Sequence, residues 1–142
     1  MTDNAKKLKI RPLFNPGAAV TNNTAFVSNI IDTAGYGSLV LAVHTGSIAD
    51  VDVTFTLLLE ESNDSAMGSA NAVADSDLIG TEAGCAPLFS NDNTVGKLGY
   101  IGSKRYVRMT ITPAANTGDI YLSGVAILGH SQSFDQNDQK VT

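Results

Sequence analysis

Polar and apolar residues alternate along several stretches of this chain with a period of two, the mark of half-buried β-strands. From Asp50 to Glu61 (DVDVTFTLLLEE), Val51, Val53, Phe55, Leu57 and Leu59 share one side, while Asp52, Thr54, Thr56 and Glu60 share the other. Leu58 interrupts the polar side, so the far end of this strand is expected to be covered on both faces. Over 104–112, Tyr106, Arg108, Thr110 and Thr112 alternate with Val107, Met109 and Ile111. The phases place Val51, Val53, Phe55, Leu57, Val107, Met109 and Ile111 in the core. Tyr36–Thr45 (YGSLVLAVHT) reads as a further strand, entered and left through glycines, and its short linker to 50–61 predicts an antiparallel hairpin. After the turn residues Pro-Ala-Ala-Asn-Thr-Gly at 113–118, Asp119–Leu128 runs back as a nearly all-apolar strand.

Weaker signals fill the remainder. Residues 20–31 read as a strand with an Asn/Thr-rich start, and short apolar pieces stand at 78–80 and 86–89. Residues 62–76 are small and polar, as expected of a long surface loop. Residues 1–16 have the look of an extended basic arm, in which Pro12 and Pro16 oppose a helix. The division is therefore an arm over 1–16, one domain over 17–130 and a polar tail over 131–142. About seven or eight strands punctuated by Gly, Pro and Asn, with no amphipathic helix, make an all-β antiparallel sandwich. With no Trp and a single Cys, the immunoglobulin-like variant lacks its usual anchors.

At 142 residues the chain matches the common size of one domain, about 100–150 residues. The lone Cys85 excludes an intramolecular disulfide and fits a reducing compartment. The N-terminus MTDNAKKLKIRPLF has no apolar h-region, and no run approaches the roughly 18 apolar residues of a membrane span. The expectation is a soluble chain, outside the Sec route, with no membrane partner. Net charge is −5, and its distribution is uneven. Between Pro12 and Gly96 there is no Lys or Arg, whereas Asp32, Asp50, Asp52, Glu60, Glu61, Asp64, Asp75, Asp77, Glu82 and Asp92 all fall there. Bases gather at Lys6, Lys7, Lys9 and Arg11, and again at Lys97, Lys104, Arg105 and Arg108. Two readings follow: an ordinary acidic surface, or a basic arm and basic strand that engage an acidic partner. Nucleic acid is a poor match, because the acidic middle would repel phosphates.

Catalytic chemistry finds little support. His44 and His130 read as strand-end residues, and Cys85, in Ala-Gly-Cys-Ala-Pro, lacks the local signature of a nucleophile. No Cys/His spacing suggests a metal site. Asp50/Asp52, Glu60/Glu61/Asp64 and Asp75/Asp77 are hard oxygen donors, but no EF-hand pattern joins them. Glycoside hydrolysis needs two carboxylates about 5–10 Å apart, and the chain offers few aromatics to hold a sugar. The expectation is a protein that is not an enzyme and needs no cofactor.

The stretch Gly-Tyr-Ile-Gly-Ser-Lys-Arg-Tyr-Val-Arg-Met-Thr-Ile-Thr-Pro, followed by Asn-Thr-Gly-Asp and Ala-Ile-Leu-Gly-His, resembles a family of small virion structural proteins of tailed bacteriophages. The resemblance extends more weakly over 38–83. It implies a capsid cement or decoration protein with a jelly-roll fold, assembled in the bacterial cytoplasm into the virion, with the major capsid protein as partner and the chain as a homo-oligomer. The alternatives are a head–tail or tail component, and a carbohydrate- or receptor-binding module. For contact with the capsid, the arm combines charge (Lys6, Lys7, Lys9, Arg11) with apolar anchors (Leu13, Phe14), and the tail adds Phe134. Alternation of Lys7, Lys9 and Arg11 with Leu8 and Ile10 would suit a strand added to a neighbour's sheet edge.

Overall fold

The computed structural model describes residues 4–131. Among the described residues ten strands form two antiparallel sheets: β1 (Lys9–Phe14), β2 (Phe26–Val27), β3 (Ile31–Asp32), β4 (Tyr36–Ile48), β5 (Thr54–Ser62), β6 (Asn71–Ala72), β7 (Leu78–Ile79), β8 (Val95–Tyr100), β9 (Tyr106–Ala114) and β10 (Ile120–Ser131). The first sheet has the order β1-β10-β4-β8-β7, and the second β2-β9-β5-β6, with β3 also on β9. Pairing is nested: β1 with β10, β2 and β3 with β9, β4 with β8, β5 with β6. That is a long hairpin folded over on itself, the strand order of a jelly-roll sandwich.

The strand phases read from the sequence hold through the core. Leu57, Leu59, Val107, Met109 and Ile111 are buried between the sheets, facing Leu39, Leu41, Val43, Leu98 and Leu128 of the other layer. Val53 is buried in a smaller cluster with Ile48 and Ile120, and Phe55 packs partly buried against both clusters. Val51 departs from expectation. It lies in a turn before β5 and is 64% exposed, because Asp50 bends the chain there: its Oδ1 accepts from Asp52 N and its Oδ2 from Thr117 N. An alternating pattern that begins in a turn has no sheet to set its phase.

Three further expectations are corrected. Residues 36–45 and 50–61 do not pair as a hairpin. β4 lies in the first sheet between β10 and β8, and β5 lies in the second beside β9, so the short linker crosses from one layer to the other. Residues 20–31 do not form one strand, because Ser28 replaces a backbone partner: its Oγ accepts from Met109 N, leaving β2 and β3 as two short pieces along β9. The third concerns the N-terminus. Residues 9–14 are not an arm but the edge strand β1, paired with β10 from Lys9↔Leu128 to Phe14↔Gly124 with a register shift between Pro12 and Phe14. Leu13 and Phe14 belong to the core. Asn29 then closes the free side of β1, its N–H and Nδ2 donating to the carbonyls of Leu13 and Pro12. Edge strands are commonly blunted by proline, by inward-pointing charge or by a covering loop. β1 has all three, since Pro12 lies within it and Lys9 and Arg11 share the register of the inward-facing Leu128 and Ala126.

The loop expected over 62–76 is present but built. Met67 and Val73 are buried, and Ser62 Oγ donates to the Gly68 carbonyl while accepting from Asp64 N. A four-residue helix α1 (Glu82–Cys85), which periodicity did not foretell, is capped at its N-terminus by Thr81. From it Glu82 reaches to β5, its Oε1 accepting from Leu59 N at 2.6 Å. Where β6 is too short to continue the ladder, a carboxylate thus satisfies the backbone donor. Of the tail expected over 131–142, Ser131 ends β10, and the rest lies outside the described residues.

Candidate interaction surface

The residues expected to contact a partner separate on folding. Lys6 and Lys7 are exposed in a turn ahead of β1. Lys9 is buried and Arg11 half-buried. Leu13 and Phe14 are taken up by the core, 0% and 6% exposed, so neither is free to anchor a neighbour. The alternation of Lys9 and Arg11 with Ile10 is real, but the sheet it joins is the chain's own. Phe134 lies outside the described residues.

The two arginines of the basic strand are likewise answered within the molecule. Arg105 donates from Nε and Nη2 to the two carboxylate oxygens of Asp32, both at 2.8 Å, and its guanidinium lies 5.0 Å from the centre of the Tyr106 ring. The Arg105 bond holds the Asp32 carboxyl below the usual carboxylate range; the Ala34 N–H and the charges of Arg105 and Arg11 act in the same direction. Arg108 bonds Glu60 across β9 and β5 at 2.8 Å. Tyr100 donates its hydroxyl to Glu61 at 2.6 Å and accepts from Lys104 N; burial first, and Glu61 second, push its phenol upward. On the second sheet Asp32 and Glu60 are thus each matched by an arginine. Exposed pairs of this kind contribute about 0–1 kcal/mol each. They define a polar wall more than a binding site.

Candidates for chemistry stand apart. His44 is exposed on β4. His130 is exposed near the end of β10, with a positive φ of 52° and Nδ1 3.0 Å from Ser38 Oγ. Cys85 is buried, and burial pushes its thiol up to about 11, opposite to the shift that activates a nucleophile. Among the described residues no three His, Cys, Asp or Glu side chains are grouped to hold a metal ion. No described helix is long and apolar enough to cross a membrane.

The distinctive feature is the outer face of the first sheet. None of its five strands contains a single Asp or Glu, in a chain that carries 14. The registers align Ile10, Ile127, Val40, Gly99 and Ile79 in one row across all five strands. A second row aligns Pro12, Val125, Ala42 and Lys97, and His44 stands between Ser123 and Val95 in a third. Ile10, Ile79, Val95, Tyr121 and Val125 are exposed to between 39% and 63%. A shallow groove of about 430 Å³ crosses this face, walled by Pro12, Phe14 and Pro16 on one side and by His44 and Val95 on the other. Large contiguous apolar patches on a folded chain mark interaction sites.

Reasoning from sequence passed over this face, although two signals were present. Asp119–Leu128 is apolar at both parities, Tyr121, Val125 and Ile127 as well as Ile120, Leu122 and Leu128, where a solvent-facing strand should alternate. All five segments that become the first sheet are also free of acids, whereas the second sheet has Asp32 on β3 and Glu60 and Glu61 on β5. No family model and no curated protein matches the sequence. Among solved structures the chain is similar to the "CBM3a-L domain with flanking linkers from scaffoldin cipA of cellulosome of Clostridium thermocellum", at 18% identity, covering 96% of this chain and 77% of that one, with a TM-score of 0.26. At that score the likeness carries no argument.

Proposed function

We propose that this chain is a structural protein of a tailed-bacteriophage virion, a cement or decoration subunit that binds the head shell and catalyses no reaction. The observation that carries the reading is the acid-free apolar face of the first sheet, set on a chain of net charge −5. A wall of this kind is built for association, and it contrasts with the deep, few-per-protein pockets that small molecules occupy. The resemblance of 99–113 and 126–130 to small virion proteins directs the reading to a phage head. The jelly-roll strand order agrees with what that resemblance implies, without distinguishing among the many functions such a fold hosts.

The mechanism is mass action. A subunit that binds the assembled shell, and not its separated proteins, stabilises assembly by about 2.7 kcal/mol per site at a hundredfold excess over its dissociation constant. The test uses particles assembled with and without the chain. Purified protein added back should cosediment with heads in saturable, stoichiometric amount and raise the temperature of genome release, followed with a DNA-binding dye. If it fails to bind heads, or binds and leaves the release curve unchanged, the reading falls. Binding to immobilised glycans in its place would favour an adhesion module.

A further inference from the structure

We propose that residues 15–25 form a strap that opens as a unit while both sheets stay folded, and that Asn116 is the latch holding it shut over an apolar mouth at one end of the sandwich.

The strap has little else to hold it. It joins β1 to β2, and of its residues only Ala19, Val20 and Ala25 are half-buried, the others being exposed. Segments that bury so little apolar surface open at lower cost than the body they rest on. Among the described residues, every hydrogen bond from the strap to the rest of the molecule ends on Asn116 or Ile120. Val20 and Ile120 each donate a main-chain N–H to the other's carbonyl, both at 3.0 Å. Asn116 N–H donates to Asn23 Oδ1 at 2.8 Å, and Asn116 Nδ2 donates to the Asn22 carbonyl at 3.0 Å. The Val20 carbonyl lies 3.5 Å from the same nitrogen. One side chain thus gathers three residues of the strap.

Asn116 is suited to that part. It is only 5% exposed, so its bonds form away from competing water and count for more. Its amide is also fixed in orientation. Nδ2 donates to the Gly118 carbonyl at 2.9 Å as well as to the strap, while Oδ1 accepts from Gly118 N at 3.3 Å. With carbonyl oxygens around Nδ2, an oxygen in its place would face like dipoles and lose every bond there.

The turn that presents Asn116 is braced. Ala115 holds a left-handed φ of 59°, which a residue with a Cβ seldom adopts; such strain persists where the surroundings over-determine it, and it gathers at switch segments. The brace is Asp50, whose Oδ2 accepts from Thr117 N at 2.7 Å and from Thr117 Oγ1 at 2.8 Å. The catch is therefore fixed and the strap is the moving part. At the strap's first end Gly17 has room to turn, since an added Cβ would meet nothing nearer than 4.0 Å.

A cavity of about 260 Å³ lies between the strap and the body, lined by Gly17, Ala18 and Val20 on one side and by Leu13, Phe26 and Leu122 on the other. β1 keeps its place without the strap, because β10 pairs with it and Asn29 bonds the Pro12 and Leu13 carbonyls. Opening therefore uncovers Leu13, Phe26 and Leu122 and leaves both sheets intact. That end of the molecule changes from polar to apolar surface without unfolding.

The test is native-state hydrogen exchange on the full chain in sub-denaturing urea. The dependence of exchange on urea reports how much surface each opening exposes. In the wild type the Val20, Ile120 and Asn116 amides should share one opening, nearly flat in urea and at least about tenfold more frequent than that of the β10–β4 ladder. If these three exchange only with the steep slope of the ladder, the strap does not open by itself and the proposal is overturned. Asn116→Ala and Asn116→Asp should each speed exchange at Val20 and Ile120 by at least about tenfold while circular dichroism remains that of the wild type. Thr21→Ala, on the exposed side of the strap, should leave it unchanged. Unaltered exchange in both Asn116 variants would remove Asn116 as the latch. The mouth is read with a thiol reagent on Leu122→Cys, the buried native Cys85 serving as internal reference. The introduced thiol should react faster than Cys85 and with a shallower urea slope; equal slopes would show that the strap covers nothing. Should the variants fail to fold, exchange in the wild type still decides whether the strap opens alone.

Discussion

Leu13→Ala asks whether the first strand is part of the body of the protein. Leu13 is wholly inaccessible, sits in the main core cluster, and lies over Gly124, with its Cδ2 3.5 Å from where a Cβ would be on that residue. Removing three buried carbons forfeits about 2.4 kcal/mol of transfer free energy at roughly 0.8 kcal/mol each. The residual cavity adds to this, because the closely packed sheets relax only in part, and measured Leu→Ala costs run to about 2.7–5 kcal/mol. Against a whole-domain stability of about 5–15 kcal/mol this is a large fraction. Equilibrium urea unfolding, followed by circular dichroism, reads it directly. With a slope of about 1–3 kcal/mol per molar urea, the midpoint should fall by at least about 1 M. Ile10→Ala, three residues earlier on the exposed face, is the internal control and should change stability by about 0.5 kcal/mol or less. If Leu13→Ala costs less than about 1 kcal/mol, or no more than Ile10→Ala, residues 9–14 are a dispensable arm and the argument for a built edge strand collapses.

Two other predictions follow from single contacts. Glu82→Ala strands the Leu59 N–H that the carboxylate now satisfies and should cost about 1–3 kcal/mol; Glu82→Gln, which keeps an acceptor oxygen, should lose clearly less, and equal losses in urea unfolding would show that the bond is immaterial. Asp32 is held below its ordinary value by Arg105, and Asp50 by the Asp52 N–H and then by Thr117, so the unfolded chain takes up protons before the folded one. Their stabilisation is complete above the unfolded carboxyl value of about 3.9 and disappears as pH falls through the lower folded values. For the half-exposed Asp32–Arg105 pair the loss is at most about 1 kcal/mol. Asp32→Asn should thus be less stable than wild type near neutrality, and the gap should close as pH falls through the lowered carboxyl value of Asp32; a gap that does not change with pH would assign the effect to something other than ionisation.

The sequence alone determined which residues would be interior wherever a strand has one wet face. Leu57, Leu59, Val107, Met109 and Ile111 were legible because the period of two is a local property, set by the backbone pleat and readable within a few residues. The all-β class followed from the same pattern and from the turn residues between its runs. Pairing was not legible. The alternation in 9–14 is the same whether the strand joins its own sheet or another molecule's, and β1 finds its partner in β10, more than a hundred residues away. The link between β4 and β5 is short enough for a hairpin, yet it changes layers, and each strand pairs with a distant one, β4 with β10 and β5 with β9. The interaction face is a consequence of that choice. Residues 10, 79, 95, 121 and 125 come from four different strands besides β4, and only the non-local register brings them onto one wall. A sequence carries the phase of each strand in its own residues, whereas the surface made by several strands together exists only once tertiary structure has ordered them.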